Sequence, residues 1–195
     1  MFEGSNVALV TPMHPDGRVD FDALDALVNW HIQAGTEGLV AVGTTGESAT
    51  LSVDEHLEVI RRVIAVADQR VPVIAGTGAN STAEAIALTV EAGQAGAAGA
   101  LVVTPYYNKP PQEGLYQHYW AVADASSIPV ILYNVPGRTG CDLLPETAVR
   151  LAAHPRIVAL KEAVGDRERV ETLRSRLPQP FVLLSGDDGT SADAM

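Results

Sequence analysis

Lys161 is one of two lysines in 195 residues, against eleven arginines. It ends an apolar run, Ile157-Val158-Ala159-Leu160. Of the two basic side chains only lysine offers a primary amine that can lose its proton and attack a carbonyl carbon; a guanidinium stays charged. Lys161 is therefore a candidate Schiff-base nucleophile. The plainer alternative is a strand-end lysine that reaches water or pairs with Glu162. Tyr133 lies 28 residues upstream in an equivalent place, after Val130-Ile131-Leu132. A phenol beside an amine makes a proton-transfer pair once burial lowers the amine's pKa, and an imine needs such a shuttle to form and hydrolyse. Thr44 and Thr45 stand between Gly43 and Gly46 in a turn whose N–H groups and hydroxyls could hold a carboxylate. Arg138, in the loop Val135-Pro136-Gly137-Arg138-Thr139-Gly140, could grip a second carboxylate with its fork. Taken singly, these residues also read as ordinary loop side chains satisfying local backbone or water.

The elements that must position these residues recur along the chain. A short apolar strand is followed by a loop of small polar residues and an alanine-rich helix. The strands expected are Val7–Val10, Gly38–Val42, Val71–Ala75, Ala100–Val103, Val130–Leu132, Ile157–Leu160 and Phe181–Leu184. They lack clean alternation, as parallel strands buried on both faces do. The helix signals are Asp20 to Ala34 with a stop at Gly35, capping boxes at Ser52–Glu55 and Ser81–Glu84, and Pro111 in the first turn of the fourth helix. Seven strands and six helices leave an open doubly wound sheet or an eight-stranded barrel. The segment Gly189–Met195 reads as a helix start where an eighth βα segment would begin. The reading is one domain, residues 1–195: an α/β (β/α)8 TIM barrel without its last strand. In either architecture the chemistry belongs at the carboxyl ends of the strands.

Composition excludes several functions. A net charge of −11 and a pI near 4.7 disfavour nucleic acid and anionic membrane surfaces. No apolar run approaches the ~20 residues of a membrane span, and the first residues do not read as a signal peptide. Cys141 is the only cysteine, which excludes an internal disulfide and suits a reducing, cytoplasmic setting. The five histidines show no ligand spacing, so no catalytic metal is expected. Gly76-x-Gly78 lacks a third glycine, since Ser81 holds that position, and is not a dinucleotide loop. Asp187-Asp188 reads as a solvated pair or a helix cap.

Six segments carry a resemblance: GTTGESATLS (43–52), PVIAGTGAN (72–80), TPYYNKPPQEGLYQHY (104–119), ILYNVPGRTGCDLLPET (131–147), IVALKEA (157–163) and LLSGDD (183–188). In that order they resemble the pyruvate-dependent class I aldolases, the family of dihydrodipicolinate synthase and sialate lyase. The resemblance implies a (β/α)8 barrel with a small helical C-terminal domain, which this sequence lacks together with the last strand. It implies that Lys161 forms the imine with pyruvate and that Tyr133 shuttles protons. Thr44 and Tyr107 would complete the relay, Tyr107 by reaching into a neighbouring subunit. Thr45, Arg138 and Gly186 would contact substrate: Thr45 the pyruvate carboxylate, Arg138 the carboxylate of L-aspartate-4-semialdehyde. The implied reaction joins these two molecules in lysine and diaminopimelate biosynthesis, with no cofactor beyond the covalent pyruvate imine, in a homotetramer built as a dimer of dimers. Ser48, Ala49, His56, Asn80, Glu84 and Tyr106 match a site where L-lysine inhibits many bacterial members; Val53 stands where some of these carry histidine. Two alternatives are a sister aldolase acting on sialate or a 2-keto-3-deoxy sugar acid, and a non-catalytic binder of pyruvate or an amino acid on the same scaffold.

Overall fold

The computed structural model describes residues 2–191. Seven parallel strands pair in strict chain order: β1 (Asn6–Ala8), β2 (Gly38–Ala41), β3 (Val73–Gly76), β4 (Gly99–Val103), β5 (Val130–Asn134), β6 (Ile157–Glu162) and β7 (Val182–Ser185). The fold is that of a (β/α)8 TIM barrel, with seven of its strands among the described residues. The sheet curls. Val40, Ile74, Leu101, Ile131 and Ala159, one from each of five successive strands, form a single inner cluster with Phe2, against which Val182 and Leu184 pack. Their sequence neighbours Leu39, Ala41, Ala75, Ala100, Leu132 and Leu160 point the other way, into two clusters shared with the helices. Both faces are dry, hence the uninterrupted apolar runs.

The helices are α1 (Phe21–Gln33), α2 (Val53–Ala67), α3 (Thr82–Ala95), α4 (Gln112–Ala125), α5 (Pro136–Thr139), α6 (Pro145–Leu151) and α7 (Arg167–Arg176). Asp20 caps α1 by accepting the Ala23 N–H, and Gly35 (φ +87°) takes the left-handed turn beyond it. The Ser52–Glu55 capping box forms in both directions. At α3 only half of the expected box is made: Glu84 N–H donates to Ser81 Oγ, and no return bond from the Glu84 side chain accompanies it. Pro111 is the N-cap of α4, one position ahead of the first turn. The connection from β5 to β6 holds two helices where one was expected. Pro136 opens a four-residue turn, Gly140 (φ +66°) ends it, and Pro145 opens the next helix. Of the expected helix start Gly189–Met195, residues 192–195 lie outside the described residues. No described helix is long and apolar enough to cross a membrane.

Two departures from the sequence reading bear on the site. First, β5 and β6 run two residues longer than expected, to Asn134 and Glu162. Tyr133 and Lys161 are therefore ladder residues within rigid strands. Second, β6 carries a bulge. Val130 pairs with Ile157, but Ile131 pairs with Ala159, so Val158 is an extra residue. Side chains alternate along a strand, so one inserted residue flips the phase of everything after it. A regular ladder would set Leu160 opposite Tyr133 and turn Lys161 toward the helices. The bulge sets Lys161 opposite Tyr133, and both face the barrel interior.

Candidate active site

Lys161 Nζ lies 4.6 Å from the centroid of the Tyr133 ring. Lys161 lines an open cavity of about 560 Å³ that runs past Val40, Ile74, Leu101, Ile131 and β7 to the N-terminal residues Glu3–Asn6. Burial pushes the Lys161 amine below the ordinary lysine range, and the carboxylate of Asp188 pulls part of the way back. The alternative pairing with Glu162 is not made. Glu162, the next residue, points to the opposite face of β6 and pairs with Arg169 at 2.8 Å. Gly186 packs directly against the lysine stem: a Cβ there would fall 2.8 Å from Lys161 Cε and 3.0 Å from Ala163 Cβ. The absence of a side chain at position 186 thus leaves room for the lysine itself.

Tyr133 is buried, and burial raises its phenol pKa; the neighbouring Thr44 hydroxyl and the charge of Arg138 pull it part of the way back. Thr44 is half-buried at the start of a 3-10 turn, Thr44–Gly46, that follows β2. That turn is tight. Val42 takes φ +46°, a conformation a β-branched residue rarely adopts, and a Cβ at Gly76 would collide with the Val42 carbonyl. Thr45, next along, is exposed. Thr44, Ser48, Gly76, Gly78, Val103 and Tyr133 line one narrow cleft.

Arg138 is exposed in the last turn of α5. Behind it, Thr139 Oγ1 donates to the Cys141 carbonyl at 2.9 Å, and Thr104 Oγ1 donates to Thr139 Oγ1 at 3.2 Å. Tyr107 is apart from these groups. It is 88% exposed, sits in the left-handed region (φ +72°), and its hydroxyl makes no hydrogen bond among the described residues. A side chain held out in this way is available to a second chain. Asp187 Oδ2 accepts from Thr190 N–H and Oγ1 at 3.1 and 2.6 Å, the capping alternative of the Asp187-Asp188 pair.

Of the six residues matched to a lysine site, His56, Ser48 and Glu84 come together. His56 is buried with Nε2 2.7 Å from the Gly76 carbonyl. Burial lowers its pKa, while the Gly76 and Ser48 backbones and the charge of Glu84 raise it. Asn80 is half-buried, and its carbonyl accepts from Asn108 Nδ2 at 3.0 Å. Tyr106 is half-buried and Ala49 exposed.

Sequence reasoning passed over Asn134, Asp142 and Arg169, and took Glu162 only as a partner for Lys161. Asn134 follows Tyr133 as Glu162 follows Lys161, and the two pair across the ladder. A carboxylate between Lys161 and the apolar Ala163-Val164, just beyond the run Ile157–Leu160, was the available signal, because a buried charge demands a partner.

The whole chain, residues 1–195, matches the model of the dihydrodipicolinate synthetase family. It is 62% identical over 193 residues to 4-hydroxy-tetrahydrodipicolinate synthase of Alcanivorax borkumensis, covering 99% of this chain and 66% of the relative. It is 57% identical to the synthase of the same name from Pseudomonas aeruginosa, covering 100% of this chain and 67% of that protein. The chain thus spans about two thirds of the length of the curated relatives it matches. Among solved structures, dihydrodipicolinate synthase of Acinetobacter baumannii complexed with pyruvate superposes with a TM-score of 0.98 at 58% identity, over 100% of this chain and 67% of that one. The enzyme from Cyanidioschyzon merolae with lysine bound gives 0.94 at 42% identity, over 98% and 66%.

Proposed function

The chain belongs to the dihydrodipicolinate synthetase family, and on that premise we propose that the protein condenses pyruvate with L-aspartate-4-semialdehyde through an imine on Lys161. The observation that carries the reading is the pairing of Tyr133 with Lys161: two inward-facing groups on adjacent strands, the amine's pKa lowered by burial and the amine held in no ion pair among the described residues.

Neutral Lys161 Nζ attacks the ketone carbon of pyruvate, and the carbinolamine loses water to give the iminium ion. Loss of a methyl proton yields the enamine, whose carbon attacks the aldehyde of the second substrate. The amino group of that substrate then displaces Lys161 as the ring closes. Each step moves a proton. Tyr133, beside the Thr44 hydroxyl, is placed to carry it, and Tyr107 of a neighbouring subunit extends the relay. The Thr44-Thr45 turn takes the pyruvate carboxylate. Arg138, near Tyr133 and open to solvent, takes the carboxylate of the semialdehyde; a fork suits that group better than a neutral sugar chain. The bound pyruvate of the Acinetobacter relative supports the first substrate, and the bound lysine of the Cyanidioschyzon relative supports feedback by L-lysine near His56 and Glu84. A cytoplasmic homotetramer follows from the family's habit. A condensation assay on the intact protein tests the reading. Turnover of pyruvate with L-aspartate-4-semialdehyde, and none with sialate, is expected; the reverse preference contradicts it.

A further inference from the structure

Behind Tyr133 and Lys161, on the helix side of the sheet, lies a closed polar network that the condensation itself does not use. Asn134 is fully buried, and Glu162 is 3% exposed. Asn134 Nδ2 donates to Asp142 Oδ1 at 2.8 Å and to Glu162 Oε1 at 3.0 Å. Arg169 of α7 donates from Nε to Glu162 Oε2 at 2.8 Å, and from its two Nη atoms to both oxygens of Asp142 at 3.0 and 2.9 Å. Val164 N–H donates to Glu162 Oε1 at 3.1 Å, and Leu143 N–H donates to Asn134 Oδ1 at 2.9 Å. Every contact to Glu162 is a donor, which is what an ionised carboxylate accepts. Burial pushes its carboxyl up, and Arg169 opposes that push.

The arrangement is a large investment of buried polarity just one residue from the reacting groups. A bulge in a parallel strand leaves the following register free to slip back by one residue, which would turn Lys161 out of the cavity. The Asn134–Glu162 pair is the last rung of that ladder. Asp142 and Leu143 follow the Arg138 turn directly in sequence, and Arg169 binds both of them, since it also donates to the Leu143 carbonyl. One network therefore ties β5, β6, the end of the Arg138 loop and α7 together.

We propose that Asn134, Asp142, Glu162 and Arg169 are positioning residues for the reaction: they hold the bulged register that keeps Lys161 opposite Tyr133, and fix the loop bearing Arg138 to the same frame. The proposal deepens the synthase reading and rests on it. Glu162→Gln keeps the volume but sets an amide against the donors of Arg169 and Asn134. Asp142→Asn does the same at a more exposed position, where folding is more tolerant. In the intact protein, each is expected to lower kcat by about 10- to 100-fold, the scale of an ångström-level misplacement. The KM for pyruvate is expected to hold within about threefold, because the network does not touch the Thr44-Thr45 turn. Glu162→Asp restores part of the rate. The pH at which Lys161 becomes reactive, read without turnover by trace acetylation with acetic anhydride, rises in both substituted proteins as the amine gains access to water. Folded variants with wild-type kcat and an unmoved acetylation profile overturn the proposal, and so does a loss that falls only on the KM for pyruvate. The acetylation profile separates the two readings: if the unaltered protein fails to condense its substrates but the profile still shifts, the synthase assignment fails and the positioning role stands.

Discussion

At the residue scale, the decisive neighbour of Lys161 is a glycine. Gly186 leaves the space that the lysine stem occupies, and alanine there would meet Lys161 Cε and Ala163 Cβ at or under 3 Å. The flexible lysine moves more cheaply than the strand, so Gly186→Ala should displace the nucleophile. We expect imine formation with pyruvate to slow by about 10- to 100-fold, with little change in thermal stability. Stopped-flow or quenched trapping measures the first and thermal denaturation the second; an unchanged rate would show that Lys161 does not need this space. Lys161 and Tyr133 were visible in the sequence as a candidate nucleophile and phenol because lysine is scarce and their spacing equals one βα repeat. The resemblance put Gly186 among the substrate contacts; the geometry adds that Gly186 packs against the lysine. A close approach between two strand ends is a property of packing and leaves no local mark.

At the scale of elements, all seven strands were legible from apolar runs, and the first four helices from their start signals; the two short helices between β5 and β6 were not. Their edges were less so. Asn134 and Glu162 look like loop residues because they are polar, yet they belong to the strands; each is paired on the helix side, which no periodicity records. The Val158 bulge was also hidden. Ile157-Val158-Ala159-Leu160 is apolar on both faces, so the pattern carries no phase, and only pairing with β5 reveals the extra residue. Deleting Val158 removes the extra residue and leaves a regular ladder in which Ala159 still pairs with Ile131 and Lys161 still lies opposite Tyr133. The expected outcome is a folded chain that still forms the pyruvate adduct. Circular dichroism and borohydride trapping read the fold and the adduct. A folded deletion variant that no longer traps pyruvate would refute this register.

At the scale of the whole molecule, one strained group predicts how stability depends on pH. His118 is buried between α4 and α3, with Nδ1 2.9 Å from Thr82 Oγ1 and Nε2 without a partner among the described residues. Burial lowers its pKa from near 6.5 to about 4. The unfolded chain therefore takes up a proton below pH 6.5 that the folded chain refuses until about pH 4. Stability is present above the unfolded value and falls as pH drops through this window. The loss is at most about 1.4 kcal/mol per pH unit and reaches about 3 kcal/mol in all. His118→Gln should flatten the slope between pH 6 and pH 4.5 in urea titrations, about 1 kcal/mol less lost per unit; an unaltered slope would assign the acid sensitivity to other groups. The count of strands and helices left an open doubly wound sheet or a barrel, and the barrel was the reading chosen. The sheet's curl shows in the shared inner cluster of Val40, Ile74, Leu101, Ile131 and Ala159.

The central claim is that a partly desolvated Lys161 forms an imine with pyruvate. Reduction of the intact protein with sodium borohydride in the presence of pyruvate, followed by peptide mass spectrometry, tests it most directly. One reduced pyruvate is expected on the peptide bearing Lys161, none on Lys109, with a trapping rate that rises with pH through a midpoint below that of an ordinary lysine. An unmodified Lys161 in folded protein, or an adduct spread equally over both lysines, would contradict it.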